Sequence, residues 1–567
     1  MSRAIPIIAF AFIAAAWAFV GIIPADLFRR CTMLWSTVAF LWMLTEVLAR
    51  TNPPDETARW LGRVLPSEWL RFSASRRVFA VVLGVIFLIA FWSWGSQVRG
   101  LVGERGIFPV GEQITAARAA GVAWWQAPSL SWFATGDTWL IAQCWLGIFF
   151  AAALALGICP GPCALLCWAL YLSLMSVGGV FANFQWDSLL LETSLLAALW
   201  MPWKPRPDWG HETFAQTIGR WLLWCLLLRL MFESGVVKLT WGDESWLGYS
   251  ALDYHFETQP LPLWTGWYAH QLPRWILRAG SWFTYFLEIA TPILLLGPPR
   301  WKGLRHLTVL AQIPLQIAIA ATGNYTFFNL LTVALCLPFL DDSFHFPQRL
   351  KKAPPVKPNP HLWSVAPAAV LAAVSLFATV EGLTGAFGGV KMQNEKLEHM
   401  RTEYALTGRA PSPPWYEGLR SFNSYGLFRT MTRTRPEIII EGSADGVNWR
   451  EYEFPYKVGD PYRRPVLVAP HQPRLDWQMW FAALSPPSYQ PFLERLLQRL
   501  LEAEPSVLAL MEKNPFPDAP PRFAKLTFYT YHFTRSEDHS AAWWKRDLTG
   551  SIPPVTLEGL LKSKPER

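Results

Sequence analysis

The feature that most constrains this chain is a series of long apolar segments. A helix needs about 20 apolar residues to cross the roughly 30 Å of hydrocarbon in a bilayer, and its backbone groups must be satisfied within the span. The segments therefore predict a polytopic α-helical membrane domain of about 9–11 spans. They lie at residues 4–24, 31–49, 77–97, 139–158, 163–182, 188–203, 220–239, 282–297, 306–322, 326–340 and 364–387.

Some of these segments leave alternatives open. The sequence Ala16-Trp17-Ala18 resembles a signal-peptide cleavage site. The apolar run around it is longer than an ordinary signal core, and a second run follows closely, so we expect a retained anchor. The segments at 188–203 and 326–340 are short, and both a full crossing and a re-entrant course remain open for them.

Basic residues collect in alternate loops, and this bias orients the chain. The positive-inside rule places such loops in the cytoplasm. The basic residues concerned are Arg50, Arg59, Arg63, Arg71, Arg76, Lys204, Arg206, Arg300, Lys302, Arg305, Arg349, Lys351, Lys352 and Lys357. Residues 98–138, 183–187, 240–281, 323–325 and those after about 388 are then outside. We expect a multi-pass protein of the cell inner membrane with an exported C-terminal domain, periplasmic in a bacterium or lumenal in a eukaryote.

The last third of the chain changes in character. "PEIIIEGSADGVNWREYEF" indicates a hairpin, because Ile438 and Ile440 alternate and Asp445-Gly446 suits a tight turn. Residues 523–533 alternate like a strand, and 491–504 have helical spacing. We predict a mainly β domain, a β-sandwich with added helices. The predicted domains are 1–76, an N-terminal extension, 77–387, the transmembrane domain, and 388–567, the exported domain.

Composition limits the classes of partner. Only 16% of residues are charged and 52% are hydrophobic, whereas soluble proteins carry about 25% charged residues. Charge asymmetry across a bilayer explains the net charge of +8, so we expect membrane lipids and no nucleic acid as partners. Asp253, His255 and Glu257 would share one side of a strand and could hold a metal there, but no fixed metal-ligand spacing supports such a site. We therefore expect no metal and favour a packed interfacial loop rich in hydrogen bonds.

Polar residues in or beside the apolar segments are the candidate site. Ionisable groups at membrane depth are costly and usually face an interior cavity. One interpretation is that they cap and bridge helices; the other is that they line a cavity open to the outer face. Arg229 and Glu233 are four residues apart, and we predict that they pair. The candidates are Asn183, Gln185, Asp187, Glu192, Arg229, Glu233, Asp243, Trp246, Asp253, Tyr254, His255, Asn324 and Tyr325.

Lys238 is the candidate catalytic residue. It lies near the outer end of its helix, just beyond Gly235. Its ammonium group either snorkels to the interface or projects into a partly dry pocket. Desolvation there would lower its pKa and make it usable as a base.

Several phrases resemble the lipase maturation factor family. They include "GERGIFP" (103–109), "FQWDSLLLET" (184–193), "SGVVKLTWGDESWLGYSALDYHFETQPLP" (234–262) and "RRPVLVAPHQPRLDWQMWFAAL" (463–484). The resemblance covers about 77–567 and leaves 1–76 unplaced. It implies a membrane maturation factor that assists folding or assembly of exported proteins such as lipases, with an exported C-terminal portion. Candidate client contacts are Trp415, Tyr425, Trp477 and Trp480, unless these belong to the domain's own core.

A second resemblance concerns the segment around Lys238 alone. "SGVVKL" followed by "WLGYS" is similar to the segment of vitamin K-dependent gamma-glutamyl carboxylase that carries its catalytic lysine. It implies, as an alternative, a membrane-embedded enzyme acting on a quinone- or lipid-like substrate with Lys238 as base. No cofactor is expected beyond such a lipid or quinone. A transporter ranks last, because no inverted repeat is visible. Whether the chain is an enzyme is left open.

Overall fold

The computed structural model describes residues 71–207, 209–210, 212–295, 302–347, 350, 362–407, 416–485 and 490–562. The predicted spans at 4–24 and 31–49 lie outside the described residues, as does Trp415. The structure therefore bears on the predicted transmembrane and exported domains.

The larger part of the described chain is helical, as lipid-embedded backbone requires. In chain order the helices are α1 (Ser73–Gly95), α2 (Val98–Val102), α3 (Val110–Ala119), α4 (Asp137–Ala155), α5 (Pro160–Ser176), α6 (Gln185–Trp200), α7 (Phe214–Thr240), α8 (Glu244–Leu247), α9 (Ala251–Thr258), α10 (Trp264–His270), α11 (Arg274–Tyr285), α12 (Thr291–Leu294), α13 (Lys302–Thr322), α14 (Phe328–Cys336) and α15 (Leu362–Thr407). A π-helical turn, Phe286–Ala290, joins α11 to α12.

Four of the described helices are long and apolar enough to cross a membrane: α1, α4, α13 and the Ala366–Glu395 part of α15. The apolar helices α5 and Phe328–Phe339 are shorter. These helices confirm the predicted polytopic α-helical membrane domain. Helix α15 continues past the predicted domain boundary at 387/388 to Thr407, with Gly389 at a non-helical φ of 55°; the boundary itself stays a prediction.

Successive long helices run in alternating directions, so the loops gather at two ends. We call the end with 156–159, 201–207, 209–210, 212–213 and 337–347 the basic end. There Arg220 lies 2.9 Å from Glu212 and Arg305 pairs with Asp341. The other end carries 96–136, 177–184, 241–273 and 323–327, and every contact that we describe below with the C-terminal region lies on that side of the helices. We call it the seam end.

The C-terminal region combines a sheet with helices. Its strands are β1 (Arg435–Ser443), β2 (Arg450–Glu451), β3 (Phe523–Phe533) and β4 (Trp544–Ser551), and its helices are α16 (Arg474–Ala483), α17 (Pro491–Leu501), α18 (Pro505–Leu508) and α19 (Leu557–Lys562). The strands are antiparallel in the order β2-β1-β3-β4. The predicted hairpin is confirmed, with Gly446 in its turn at φ 80°. The strand predicted at 523–533 is also confirmed.

The described residues of this region contain one sheet, whereas a sandwich needs two. Ile438 and Ile440 are fully buried, and they share a hydrophobic core with Leu475 of α16 and Leu496 of α17. Helices thus cover the face that we expected a second sheet to cover. Sequence alternation identifies a buried face but does not say which kind of element buries it.

Candidate functional site

The most extensive polar contact at the seam end joins Asp187 to Arg474. Asp187 lies in the first turn of α6, and Arg474 begins α16. Arg474 binds the carboxylate with both terminal nitrogens, Nη1 to Oδ2 and Nη2 to Oδ1, each at 2.9 Å. The Tyr171 hydroxyl donates to Oδ1 at 2.5 Å. Both charged side chains are 1% exposed, so this bidentate ion pair holds the C-terminal region against the helices.

Backbone groups extend this contact to α1. The Ser93 hydroxyl donates to the carbonyl of Gln472 at 3.2 Å and accepts from its N–H at 3.0 Å. The Gln97 side chain donates to the Gln472 carbonyl at 2.8 Å and accepts from the Arg474 N–H at 2.8 Å. The segment before α16 is therefore fixed to the end of α1 by hydrogen bonds that the interior shields from water.

A second buried cluster lies around Glu192. Its carboxylate pairs with Arg229 and accepts a hydrogen bond from the Tyr425 hydroxyl at 2.6 Å. The prediction that Arg229 pairs with Glu233 is wrong, because Arg229 turns to the neighbouring helix α6. An i,i+4 spacing permits a pair on one helix, but interhelical packing offers Arg229 a closer carboxylate.

Glu233 is instead bound by backbone. Its Oε2 accepts from the N–H of Tyr425 at 2.7 Å, while Oε1 has no hydrogen-bond partner among the described residues. A Cβ at Gly382 of α15 would lie 2.4 Å from Oε1. Glycine at this position lets α15 approach α7 over the carboxyl group.

Lys238 is bound rather than free. Its Nζ lies 2.7 Å from Glu288 Oε2 and donates to the carbonyl of Ser234 at 2.9 Å. It also lies 5.2 Å from the centre of the Trp246 ring. Glu288 belongs to the π-helical turn after α11. The ion pair gives this buried lysine a structural explanation, and its role as a base stays a prediction.

The segment from Asp253 to Glu257 is helical, so it is neither a strand that aligns the three side chains nor an irregular loop. In α9, residues two apart point in different directions. Glu257 accepts from the N–H of Phe533 at 2.9 Å and lies 3.1 Å from His532 Nδ1. No group of three possible metal ligands occurs in the part of the chain that the structure describes. Tyr254 contributes its carbonyl to a hydrogen bond with Thr258 at 3.0 Å.

His255 faces a different set of partners. Its Nε2 lies 3.0 Å from the Tyr325 hydroxyl, which donates to Gln259 Oε1 at 2.8 Å. Burial, together with the positive charge of Lys238, lowers the pKa of His255 to about 4. The imidazole is therefore neutral at physiological pH, and it acts here as a packed, hydrogen-bonded ring. Burial likewise raises the pKa of Tyr325.

Asn324 fastens the C-terminal region to the turn after α13. Its amide nitrogen donates to the carbonyl of Val466 at 2.9 Å, and its oxygen accepts from the N–H of Val468 at 2.8 Å. Arg435 makes a similar contact from β1, donating to the carbonyls of Glu257 and Pro260 at 2.8 and 3.0 Å. Both side chains are almost fully buried.

Asp243 and Trp246 bridge to the segment before β1. Asp243 caps α8 by accepting from the Ser245 N–H at 2.8 Å, and it also accepts from the Met431 N–H at 2.9 Å. The indole of Trp246 donates to the Phe428 carbonyl at 2.7 Å. These residues favour the interpretation of bridging groups over that of cavity walls.

Two candidates next to α6 contribute little. Asn183 is exposed, and Gln185 makes one long hydrogen bond of 3.4 Å to the carbonyl of Ser424.

A surface cavity of about 450 Å³ lies elsewhere, in the C-terminal region, between Arg450, Glu453, Lys513 and Arg546.

The predicted client contacts in the described region are buried. Tyr425, Trp477 and Trp480 are 2%, 3% and 8% exposed. The Trp477 ring packs 4.6 Å from Trp186, and the Trp480 indole donates to the Thr258 carbonyl at 3.1 Å. A client cannot reach these rings in this conformation; they belong to the packing between the C-terminal region and the helices.

Arg474 and Glu288 were missed by the sequence reasoning. Arg474 follows Asp187 by 287 residues, and no local pattern links residues so far apart. The one available signal was its place in the phrase "HQPRLDWQMW".

We call the contacts of Asp187, Glu192, Glu233, Asn324 and Arg435 with their partners the seam.

Comparison with known proteins identifies the family. A sequence model described as the lipase maturation factor transmembrane domain matches residues 74–346. A second, described as the lipase maturation factor C-terminal domain, matches residues 421–554. No solved structure matches the chain.

Curated relatives match over nearly the whole chain. Lipase maturation factor 2 of Xenopus tropicalis is 34% identical over 596 residues, which covers 86% of this chain and 82% of the relative. Its Homo sapiens counterpart is 34% identical over 601 residues, covering 86% and 84%. Lipase maturation factor 1 of Mus musculus is 31% identical over 551 residues, covering 90% and 91%. With two family domains in order and these relatives, the chain belongs to the lipase maturation factor family.

Proposed function

We propose that this chain is an integral membrane maturation factor that assists the folding or assembly of exported lipases. The names of its relatives supply the client class. The observation that carries the proposal is the seam, because it joins the C-terminal region to one end of the helices with buried ion pairs such as Asp187–Arg474. The client would meet one rigid unit rather than a tethered domain.

The proposal includes a side of the membrane. The seam end and the C-terminal region lie on the exported side of the cell inner membrane, or in the lumen in a eukaryote. The supporting observation is the charge of the opposite end, where Lys204, Arg206 and Arg305 lie. Lipids surround the spans, and a lipase approaches from the exported side.

Lipase maturation in cells tests the proposed function. A secreted lipase is produced in cells that lack this protein and in cells that carry it, and lipase mass and activity are measured separately. We expect the active fraction to fall without the protein and to recover when the gene is restored. A secreted enzyme that is not a lipase is the matched control and is expected to be unaffected. An equal active fraction in both strains would contradict the proposal.

The side of the membrane has its own test. Alkaline phosphatase, which folds only outside the cytoplasm, is fused after Arg567, and a cytosol-dependent fluorescent reporter is fused there in parallel. We expect phosphatase activity. A signal from the cytosolic reporter alone would place the C-terminal region on the wrong side for an exported client.

A further inference from the structure

The sheet of the C-terminal region has two unequal edges. At one edge, β2 has two residues, Arg450–Glu451, and the chain just beyond it is bridged, with Glu453 paired to Lys513. At the other edge, β4 has eight residues and pairs with β3 alone among the described strands. Long open edges are normally shortened, covered or guarded in soluble sheets. A register shift follows Leu548 in β4, so the regular open stretch of this edge is shorter than the strand and ends at Leu548.

The backbone of β4 presents hydrogen-bonding groups outward. The Thr534 N–H donates to the Trp543 carbonyl at 3.0 Å, so this carbonyl faces β3. The N–H groups of Trp543 and Trp544 both donate to the Pro461 carbonyl, at 2.9 and 3.2 Å, so the first residues of the edge are already bound. Residues of an antiparallel strand alternate in direction. The register is regular from Trp544 to Leu548 and shifts by one residue between Leu548 and Gly550. The N–H and C=O groups of Arg546 and Leu548 therefore point to the open edge.

The side chains leave this edge accessible. Residues 547–551 are all exposed, and Leu548 is 66% exposed despite being apolar. Lys545 reaches Asp538 at 2.8 Å, and Arg546 turns over the sheet to Glu451 at 3.0 Å. Both basic side chains are thus drawn away from the edge by ion pairs within the chain.

We propose that the β4 edge binds an extended segment of the client polypeptide as an added strand. Outward N–H and C=O groups two residues apart, about 7 Å along the strand, are matched by extended polypeptide backbone and not by a lipid headgroup. This inference rests on the proposed function for its client, an incompletely folded exported lipase. It assigns the contact surface that the buried aromatic rings cannot provide.

A second copy of the chain fits the edge less well. Antiparallel pairing of β4 with itself must place outward residues opposite each other. Over the regular stretch 544–548, the registers that use most of the edge put arginine on arginine at Arg546 or aspartate on aspartate at Asp547. Like charges directly opposite destabilise a strand pair, whereas a client segment carries no such constraint.

Hydrogen exchange on the full-length protein in detergent tests the inference. The probe is a secreted lipase, reduced and carboxymethylated so that it stays unfolded. We expect the amides of Arg546 and Leu548 to exchange fast alone and about tenfold more slowly with saturating probe. No change at β4 would overturn the inference. Protection of these amides without probe that grows with protein concentration would also overturn the inference, because a second copy would then cover the edge. Protection by lipid vesicles alone would overturn it as well.

A proline variant gives an independent measurement. Leu548→Pro removes one outward N–H, a change that edge positions tolerate, and Leu548→Thr keeps the N–H as the matched control. We expect probe binding to weaken about five- to tenfold in Leu548→Pro, as for one lost hydrogen bond, and to stay near wild type in Leu548→Thr. Equal binding by both variants at equal thermal stability would overturn the inference. Lipase maturation that depends on the protein but not on Leu548 would leave the proposed function standing and remove this surface from it.

Discussion

At the scale of single residues, three buried cations among the described residues each lie against a buried carboxylate. Arg474 binds Asp187, Arg229 binds Glu192, and Lys238 binds Glu288. An isolated charge in an apolar interior is costly, and a pair repays that cost only with good geometry. Removing one partner therefore costs far more than removing both.

The Lys238–Glu288 pair gives a prediction that separates structure from catalysis. Lys238→Met leaves Glu288 buried without a cation, and we expect a loss of about 3–5 kcal/mol in unfolding free energy. The double variant Lys238→Met/Glu288→Met is expected to regain most of this stability and lipase maturation. Thermal unfolding in detergent and secreted lipase activity are the two measurements. A stable double variant that fails to mature lipase would instead indicate that the lysine does chemistry.

His255 gives a prediction about acid. Its pKa is about 4 in the folded protein and about 6.5 when unfolded, so the unfolded chain binds the extra proton between these values. The contribution of the neutral His255 side chain to the free energy of unfolding is therefore fully present above pH 6.5 and is lost as the pH falls to 4. Between pH 6.5 and pH 4, we expect the unfolding free energy of His255→Gln to fall by about 2 kcal/mol less than that of the wild type. Burial raises the pKa of Asp476 to about 6, so protonation of Asp476 stabilises the folded protein as the pH falls. Because this effect is the same in both proteins, the measurement is the difference between variant and wild type. Parallel stability curves for the two proteins between pH 4 and 6.5 would contradict the prediction.

At the scale of elements, close helix contacts depend on single glycines. Gly389 has φ 55°, and a Cβ there would lie 2.3 Å from the carbonyl oxygen of Thr240. Gly385 lies one turn earlier on α15 with nothing within 4 Å of its Cβ position. The two residues form a natural pair for comparison.

We expect Gly389→Ala to destabilise the protein by at least about 1–2 kcal/mol, since both its backbone conformation and the Thr240 contact resist a side chain. Gly385→Ala is expected to be neutral or to stabilise by up to about 1 kcal/mol, because alanine favours the helix. Thermal unfolding in detergent measures both. A similar response of the two variants would mean that the α7–α15 contact tolerates a side chain.

The elements also show how far the sequence predicts this fold. Length and apolarity located the spans closely, for example 77–97 against Ser73–Gly95 for α1. The segment at Asp253, which we expected to be a packed loop, is an eight-residue helix, too short for its periodicity to stand out in the sequence. For Tyr425 and Trp477 both a client contact and a place in the core stay open at the sequence level, because composition cannot show that a membrane bundle will bury them. Partners distant in sequence, such as Asp187 and Arg474, are fixed only by packing.

At the scale of the whole molecule, the C-terminal region completes the helical bundle. Tyr425 supplies a hydrogen bond to Glu192 and another to Glu233, and Arg474 neutralises Asp187. Without that region, carboxyl groups at the seam end lose their partners. The helices and the C-terminal region therefore stabilise each other.

A truncation after Thr407 tests this dependence. Because Asp187, Glu192 and Glu233 lose partners, we expect the truncated protein to be degraded or to aggregate in detergent rather than to behave as a stable membrane domain. Gel filtration and protease resistance are the measurements, with the full chain as control. A monodisperse, protease-resistant fragment would show that the seam is dispensable for the helices.

The most direct test of the account is lipase maturation by variants of the Asp187–Arg474 pair. We predict that Arg474→Met and Asp187→Leu each lose maturation together with about 3–5 kcal/mol of stability, while Asp187→Leu/Arg474→Met restores both. Arg495→Met, which breaks the exposed pair with Glu112, is the matched control and should change stability by less than about 1 kcal/mol. Normal lipase maturation by either single variant would contradict the account.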